Sequence, residues 1–205
     1  MKRIILLSTF AFFTLAITYA QDQAKEASKS SIGLSSTFLG KANIIYYQQV
    51  DGGAGYTGDH YYTFSLNYLY TINRTFQLET GITYAKYNFV VTPNYGPPDE
   101  MIPYSTNYYQ FCVPITVRIN FERFFFVNAG FSFDCKVKDQ TSYIDQSGIG
   151  AILGLGFNYP FKSGLGLFAN PYVEIHRLID YQEGNNAQKL TEAGIRIGAT
   201  YTFRK

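Results

Sequence analysis

The chain of 205 residues is poor in charge and rich in aromatic residues and glycine, with 16% Asp, Glu, Lys and Arg, 19 Tyr, 18 Phe and 18 Gly. Ordinary soluble domains carry about 25% charged residues, so this composition disfavours a typical soluble protein. The formal charge of +2 excludes the strongly basic surface of a nucleic-acid-binding protein, and we expect no nucleic-acid partner.

Residues 1–20 are predicted to be a cleaved secretory signal peptide. Two basic residues precede an apolar run, Ile4–Ile17, and small residues at Thr18 and Ala20 mark a cleavage point after Ala20. A membrane-anchoring helix is the alternative, but the run is shorter than the roughly 20 residues that a spanning helix needs. The signal peptide predicts export of the mature chain.

The mature chain is predicted to contain a polar N-terminal segment, residues 21–30, and one domain, residues 31–205. Removal of the signal peptide reduces the 17 Lys and Arg to 15, which equals the 15 Asp and Glu. No further long apolar run follows. An exported chain that is poor in charge, rich in aromatic residues and without hydrophobic helices is typical of a transmembrane β-barrel.

Eight predicted strands follow one another, joined alternately by long polar connections and by short turns. The long connections lie near residues 51–59, 92–106, 138–147 and 180–189, and the short ones near residues 73–74, 120–123 and 160–163. This alternation indicates an outer-membrane barrel with long extracellular loops and tight periplasmic turns. The predicted strands are Ser31–Tyr47, His60–Ile72, Phe76–Val91, Asn107–Ile119, Phe124–Val137, Gly148–Tyr159, Gly164–Ile179 and Leu190–Phe203.

Side chains along these strands alternate between apolar and polar. From Tyr109 to Phe121 every odd position is apolar, whereas the even positions include Gln110, Thr116 and Arg118. Successive residues of a strand point to opposite faces, so the sheet has one apolar and one polar face. A soluble β-sandwich or a lipocalin-like barrel would show the same alternation with the apolar face inward.

The composition of the polar face decides between these alternatives. It consists mainly of Gly, Ser, Thr, Asn and Gln, whereas a face in bulk water usually carries many Lys and Glu. Small polar residues suit the crowded interior of an eight-stranded barrel. We therefore predict an all-β, eight-stranded, antiparallel up-and-down transmembrane β-barrel whose apolar face contacts lipid. The predicted lipid-facing residues include Phe111, Val113, Ile115, Val117, Phe131, Leu153 and Ile197.

Aromatic residues are predicted to form two belts where the strands cross the membrane interfaces. One belt lies at the long-loop end and the other at the short-turn end. They comprise Tyr46, Tyr61, Tyr62, Tyr87, Tyr108 and Tyr109, and Tyr70, Phe76, Phe121, Phe124, Tyr159, Phe161, Tyr201 and Phe203, respectively.

Four segments resemble the small outer-membrane β-barrels of the Bacteroidetes type, described as PorT-like or OmpA-like barrel domains. These are FCVPITVRINF, FFFVNAGFSF, GAILGLGFNYPF and GIRIGATYTF. The resemblance implies anchorage in the bacterial outer membrane and insertion by the barrel-assembly machinery through a last strand that ends in an aromatic residue. Tyr201 and Phe203 match this insertion signal, although Arg204 and Lys205 follow and offset it by two residues.

Charged residues on the polar face form a predicted lumenal network. We expect them to neutralise one another in pairs, because an unpaired buried charge is costly. The alternative is a narrow gated path whose ion pairs exchange partners. Both predict that Arg118 and Arg196 contact carboxylates. The predicted network consists of Lys41, Glu79, Arg118, Asp134, Lys136, Glu174, His176, Glu192 and Arg196.

Motifs for catalysis or metal binding are sparse. His60 near the outer rim and the inward-facing His176 have no evident nucleophile beside them, so a lipid-A-modifying enzyme is an unsupported alternative. No metal-ligand spacing is present, and we predict no cofactor, metal or catalytic residue. Cys112 and Cys135 fall on opposite faces by parity, which predicts no disulfide.

The sequence therefore predicts an outer-membrane protein without enzymatic activity. The expected role is structural, adhesive or interacting, or that of a component of envelope biogenesis or protein secretion, with an extracellular or envelope protein as partner. A narrow pore for small solutes or ions is the alternative. Specificity is expected in the long loops. The Pro-rich second loop, with Met101, Ile102 and Tyr104, is either a contact surface or a merely solvated loop.

Overall fold

A computed structural model describes residues 30–46, 55–94, 97, 101–137, 145–181 and 188–203. Eight antiparallel strands close into one ring in chain order, which confirms the predicted up-and-down barrel. The predicted signal peptide, residues 21–29 and most of the long loops lie outside the described residues. The strands are β1 (Ser30–Tyr46), β2 (Gly55–Thr71), β3 (Phe76–Thr92), β4 (Tyr104–Phe121), β5 (Phe125–Lys136), β6 (Gly148–Pro160), β7 (Leu165–Asp180) and β8 (Gln188–Thr202).

The first and last strands form the seam of the barrel. Ser31 pairs with Thr202 in the register of β1 and β8, and the two side-chain hydroxyls lie 2.9 Å apart. The backbone N–H of Phe203 donates to the carbonyl of Ser30 at 2.9 Å. Closure at this seam leaves no open sheet edge, which is the condition for a sheet in hydrocarbon.

Strands β2 and β4 are longer than predicted. β2 begins at Gly55 rather than His60, and β4 begins at Tyr104 rather than Asn107. The extra pairs join Gly55 to Thr92 and Tyr104 to Val91. The barrel wall therefore rises higher on the side of these strands, where the connections were predicted to be loops.

The outward face is apolar along all eight strands. The seven residues predicted to face lipid are exposed by 40% to 59%. Their inward neighbours include small polar side chains such as Thr116 and Ser132 and long charged ones such as Arg118 and Arg196, all of them buried. An outer wall of large apolar side chains around a polar interior is the pattern of a membrane barrel rather than of a soluble one.

Two irregularities change the alternation locally. A register shift between Thr37 and Leu39 of β1 leaves Phe38 and Leu39 both outward, and Lys41 is exposed. The prediction that Lys41 faces the lumen is therefore wrong, because a bulge inverts the parity of the strand beyond it. At the outer end of β7, Arg177 adopts a positive φ of 54° and is buried directly after the buried His176.

The aromatic belts are only partly as predicted. At the short-turn end the rings of Phe124 and Tyr159 stack at 5.6 Å on the outer wall. At the long-loop end, however, Tyr61, Tyr87 and Tyr108 are buried inside the barrel, with exposures of at most 1%. Their positions in the strand alternation already point inward, so the belt prediction for these three residues is wrong. The side chain of Tyr46 lies outside the described part.

No helix in the described ranges has the length and apolar character to cross a membrane. The two cysteines are free thiols, with Cys112 buried and Cys135 exposed. The opposite faces follow from the register, in which Cys135 pairs with Phe111, the residue before Cys112.

Candidate functional site in the lumen

Two groups of charged side chains lie in the lumen. The basic cluster is formed by Glu79, Arg118 and Arg196, and the acidic cluster by Asp134, Glu174, His176 and Glu192. All seven belong to the predicted network and all are at least 94% buried. Of the other predicted members, Lys136 is half-buried near the outer end of β5, and Lys41 lies on the outer wall.

The basic cluster joins three strands around one carboxylate. Nε of Arg118 lies 3.3 Å from Oε2 of Glu79, and Nη1 of Arg196 lies 3.8 Å from Oε1 of the same residue. The Arg118 guanidinium also lies 3.7 Å from the centroid of the Phe126 ring and 5.4 Å from that of Phe168. Two guanidinium groups carry one positive charge more than Glu79 neutralises. The faces of the aromatic rings stabilise this remaining charge.

The acidic cluster gathers three carboxylates around one imidazole. Nδ1 of His176 lies 2.9 Å from Oδ2 of Asp134 and 3.6 Å from Oε1 of Glu174. Nε2 lies 3.6 Å from Oε2 of Glu192 and 3.2 Å from the hydroxyl of Tyr87. A single imidazole therefore contacts all three carboxylates and is itself 99% buried.

The strand register explains why the acidic residues meet. Glu174 and His176 are two residues apart on β7, so both point inward, and Glu192 of β8 is the direct partner of Glu174. Gly150 of β6 makes room on the adjacent wall. A Cβ there would lie 3.0 Å from Oδ2 of Asp134.

A tyrosine connects the two clusters. The hydroxyl of Tyr172 donates to Oε1 of Glu192 at 2.7 Å and accepts from the hydroxyl of Tyr61 at 3.1 Å. The guanidinium of Arg196 lies 4.8 Å from the centroid of the Tyr172 ring. The charged layers thus form one packed interior instead of two separate sites.

Several oxygens of the acidic cluster have no hydrogen-bond partner among the described residues. They are Oδ1 of Asp134, Oε1 of Glu174 and Oε2 of Glu192. A cavity of about 10 Å³ adjoins Glu174, His176 and Glu192, with Tyr87, Cys112 and Arg196 also in its wall. This volume accommodates about one water-sized sphere.

The uncharged and aromatic members of the site were not among the residues predicted for the lumenal network. Tyr61, Tyr87 and Tyr172 contact the charged groups, and the side-chain nitrogen of Gln110 lies 3.1 Å from Nδ1 of His176. Strand parity places all of them inward. The sequence did not indicate that these side chains contact the charged groups, because such contacts depend on the register between strands.

A nucleophile, a base and an acid do come together in the lumen. The donor atoms of Cys112, His176 and Asp134 lie within 4.8 Å of one another. Cys112 is 95% buried, and the adjoining cavity is far too small for an acyl chain or a sugar. Such groups serve catalysis only where a substrate atom reaches them. His60 contacts Asp59 at 2.8 Å on the exposed surface.

Above the acidic cluster, the outer rim carries a polar group that contacts water. Nε of Arg177 donates to Oδ1 of Asp180 at 2.7 Å, and its Nη1 donates to the carbonyl of Asp145. Burial alone would raise the pKa of Asp145, but hydrogen bonds from Ser147 and the charges of Lys136 and Arg177 outweigh it and hold this pKa below its ordinary value.

The comparisons with known proteins identify the fold. No protein-family model matches the chain, and no curated protein does. The outer membrane protein OprG from Pseudomonas aeruginosa has a TM-score of 0.52 and 14% identity over 89% of this chain and 99% of its own. Neisserial surface protein A has a TM-score of 0.52 and 13% identity over 87% and 100%. The outer membrane protein AlkL has a TM-score of 0.50 and 15% identity over 89% and 95%.

The chain thus has the fold of the small outer-membrane β-barrels, matched over nearly the full length of each neighbour. At these identities the likeness defines architecture, and the PorT-like resemblance stays a prediction.

Proposed function

We propose that the protein is an integral bacterial outer-membrane barrel with a closed lumen, which acts as an anchored interaction protein and not as an enzyme. The outer wall supports the location. Its strands present apolar residues such as Phe131 and Leu153, exposed by 59% and 55%, which are stable only in a hydrocarbon layer. The barrel-assembly machinery is the expected insertion partner, with Tyr201 and Phe203 as its signal.

The packed lumen is the observation that carries the proposed role. Arg118, Phe126 and Asn128 are buried by at least 97% at one level, and Tyr61 and Tyr87 by at least 99% nearer the outer end. An eight-stranded barrel is just wide enough for side chains to fill it. A lumen filled in this way supports anchoring and presentation rather than transport.

The outer rim supplies the proposed contact surface. Met101, Ile102 and Tyr104 follow the raised edge of β3 and precede or open β4, and their exposures are 38%, 69% and 51%. Exposed apolar side chains at a rim beyond the membrane are candidates for binding a protein partner. A role in envelope biogenesis or protein secretion, which the PorT-like resemblance implies, would use the same surface.

Photo-crosslinking tests the contact surface. A photoreactive amino acid at Ile102 should give a discrete crosslinked product in intact cells, and the same group at Tyr181, which is 51% exposed at the end of β7, serves as the control. Equal yields at both positions, or none at Ile102, would contradict a partner at this rim.

A narrow pore is the second candidate, because buried ion pairs across a lumen could exchange partners. Planar-bilayer recordings separate the two roles. We expect no reproducible conductance steps from the purified barrel, because the basic and acidic clusters fill the cross-section of the lumen. A stable open state that changes with Arg118→Ala would support the pore instead.

Lipid modification is tested separately. Mass spectrometry of lipid A should give the same acylation pattern from cells with and without the protein. A change that depends on His60 or on Cys112 would overturn the non-enzymatic role.

A further inference from the structure

Two carboxylates of the acidic cluster oppose each other across neighbouring strands. Glu174 and Glu192 are direct register partners on β7 and β8, and both are at least 94% buried. Like charges at directly opposite positions destabilise a sheet, and burial removes the water that would screen them. This arrangement requires a cation close to both side chains.

Among the described residues, the lumenal arginines make no ion pair within 4.0 Å with these two carboxylates, and His176, at 3.6 Å from each, is a cation only when protonated. Arg196 lies in the wall of the same cavity, but the ion pair that it makes within 4.0 Å is with Glu79. Arg118 likewise pairs with Glu79. The buried clusters together hold four carboxylates and two guanidinium groups, so two negative charges remain when the imidazole is neutral. One divalent ion balances this charge.

The orientation of the imidazole fits metal binding. The contact of 2.9 Å between Nδ1 of His176 and Oδ2 of Asp134 fits a proton on Nδ1 that is donated to the carboxylate. The Gln110 amide, whose nitrogen lies 3.1 Å from Nδ1, would then turn its unpartnered oxygen toward this side of the ring.

Nε2 of His176 then has a lone pair for the ion, near Oε2 of Glu192 at 3.6 Å. Oε1 of Glu174 lies 3.6 Å from Nδ1, so this side chain would have to swing toward Nε2 to share the ion. When one ring nitrogen of a histidine binds a metal, the other ring nitrogen usually donates its hydrogen to a carboxylate. The Tyr87 hydroxyl at 3.2 Å would have to turn away from Nε2 or toward the ion.

The distances and the space also suit one ion. Donor atoms of Glu174, His176 and Glu192 lie within 4.8 Å of one another. The separation of 3.6 Å between His176 and Glu192 is close to the ~3.4 Å between two ligands of a tetrahedral zinc with bonds of about 2.1 Å. The oxygens without hydrogen bonds, Oε1 of Glu174 and Oε2 of Glu192, belong to residues of the cavity wall.

We propose that Glu174, His176 and Glu192 bind one divalent transition-metal ion of the zinc type inside the barrel, with Asp134 orienting the imidazole. Two carboxylates and one imidazole are ligands that zinc and its neighbours accept, and calcium or magnesium would favour an all-oxygen set. The ion would join β7 to β8 and remove the repulsion between their glutamates. Because buried side chains enclose the site, the ion enters during folding.

Cys112, Asp134 and His176 form a competing set of donors. In this set Oδ2 of Asp134 already accepts hydrogen bonds from His176 and from Ser132, at 2.9 and 3.3 Å. In this set only Oδ1 of Asp134 is a carboxylate oxygen without a hydrogen-bond partner among the described residues, whereas the glutamate set has two such oxygens. For this reason the glutamate set is the better site.

Refolding with and without metal tests the proposal. The detergent-solubilised protein is refolded with Zn²⁺, separated from free ion and analysed by mass spectrometry for metal content. We expect about one zinc per folded barrel and a higher thermal unfolding midpoint than for protein refolded with a chelator. Wild-type protein that refolds without stoichiometric zinc overturns the proposal.

Variants locate the ion. The double variant Glu174→Gln/Glu192→Gln should lose stoichiometric zinc, and Asp134→Asn should weaken binding by about 10- to 100-fold. The control is His60→Gln, which removes the exposed histidine that contacts Asp59 and should leave zinc binding unchanged. Loss of zinc in the control, or its retention in the double variant, would place the ion elsewhere and contradict the assignment.

X-ray absorption of zinc in the wild-type barrel provides a measurement that does not depend on the folding of any variant. The proposed site predicts oxygen and nitrogen ligands at about 2.0–2.2 Å and no sulfur. A sulfur ligand at about 2.3 Å would assign the ion to Cys112 and overturn the glutamate set.

Discussion

The basic and acidic clusters share one lumen but balance their charge in different ways. In the basic cluster two guanidinium groups surround Glu79, and the remaining positive charge lies against the rings of Phe126, Phe168 and Tyr172. In the acidic cluster three carboxylates surround one imidazole, and three carboxylate oxygens accept no hydrogen bond, compared with one in the basic cluster, Oε2 of Glu79. Aromatic faces attract cations and repel anions, so the same interior stabilises a cation excess better than an anion excess.

The lumen of a small barrel therefore does not stabilise positive and negative charge equally well. In the basic cluster the protein's own cations neutralise the carboxylate, although Oε2 of Glu79 and Nε of Arg118 make no hydrogen bond. The acidic cluster is complete only when a proton or a metal ion joins it.

Removal of Arg118 should be the most damaging change. Arg118→Ala takes one of two cations from Glu79 and removes the group packed on Phe126. Breaking a buried ion pair costs about 3–5 kcal/mol, and we expect the lower part of this range because Arg196 remains. Urea unfolding in lipid vesicles measures the loss. A loss below about 1 kcal/mol would mean that the basic cluster does not stabilise the fold.

Adjacent residues of β4 test the faces on which the comparison depends. Ile115→Arg places a charge on the outer wall and should destabilise the barrel by roughly 2–4 kcal/mol if the residue lies near the bilayer midplane. Thr116→Arg places the charge in the lumen, opposite Glu79 in the register. There the change in stability depends on how the larger side chain packs.

The dependence on bilayer thickness distinguishes the two variants. The penalty of Ile115→Arg should shrink in thin bilayers, because the side chain then reaches the interface. The penalty of Thr116→Arg should not change. If both variants respond alike, the assigned faces are wrong.

In metal-free protein, Glu192→Gln should have a small effect of the opposite sign. The substitution keeps an oxygen that can accept the hydroxyl of Tyr172, and it removes the charge opposite Glu174. We expect unchanged stability or a gain of up to about 1 kcal/mol. A loss as large as that of Arg118→Ala would show that the acidic cluster is already balanced. Protein refolded with a chelator and assayed in the same vesicles provides the measurement.

The interaction of Asp145 with the charges of Lys136 and Arg177 at the outer rim should have the smallest effect on stability, because water screens it. The lowered pKa of Asp145 contributes stability at pH values above the ordinary carboxyl pKa of about 3.9, and this contribution is lost as the pH falls through the lower folded-state pKa. Asp145→Asn should abolish this dependence. The difference between wild type and variant in urea midpoints should be below about 1 kcal/mol at neutral pH and vanish in acid.

Strand alternation was sufficient to predict the fold and the two faces. The period of two in β4 identified Phe111, Val113 and Ile115 as outward residues without any knowledge of their partners. It failed for Lys41, because one extra residue near Phe38 reverses every later position of the strand. No residue type marks that bulge in advance.

The site was predictable only as a set of inward charges. Which of them meet depends on the register and on ring closure, as in the pairing of Glu174 with Glu192 across β7 and β8. Arg177 was missed for a related reason. Strand alternation assigns this side chain to the outer wall. The positive φ of Arg177 points it instead toward the rim of the lumen, where it is buried.

The seam between β1 and β8 has a consequence for biogenesis. Ser31 and Thr202 are 171 positions apart in the chain, yet their hydroxyls touch, so the ring cannot close until the final strand has arrived. A nascent chain that stops before β8 would carry two unsatisfied edges into the bilayer. Maturation of this protein should therefore be an all-or-none event, with unfinished copies left to the quality-control proteases of the envelope.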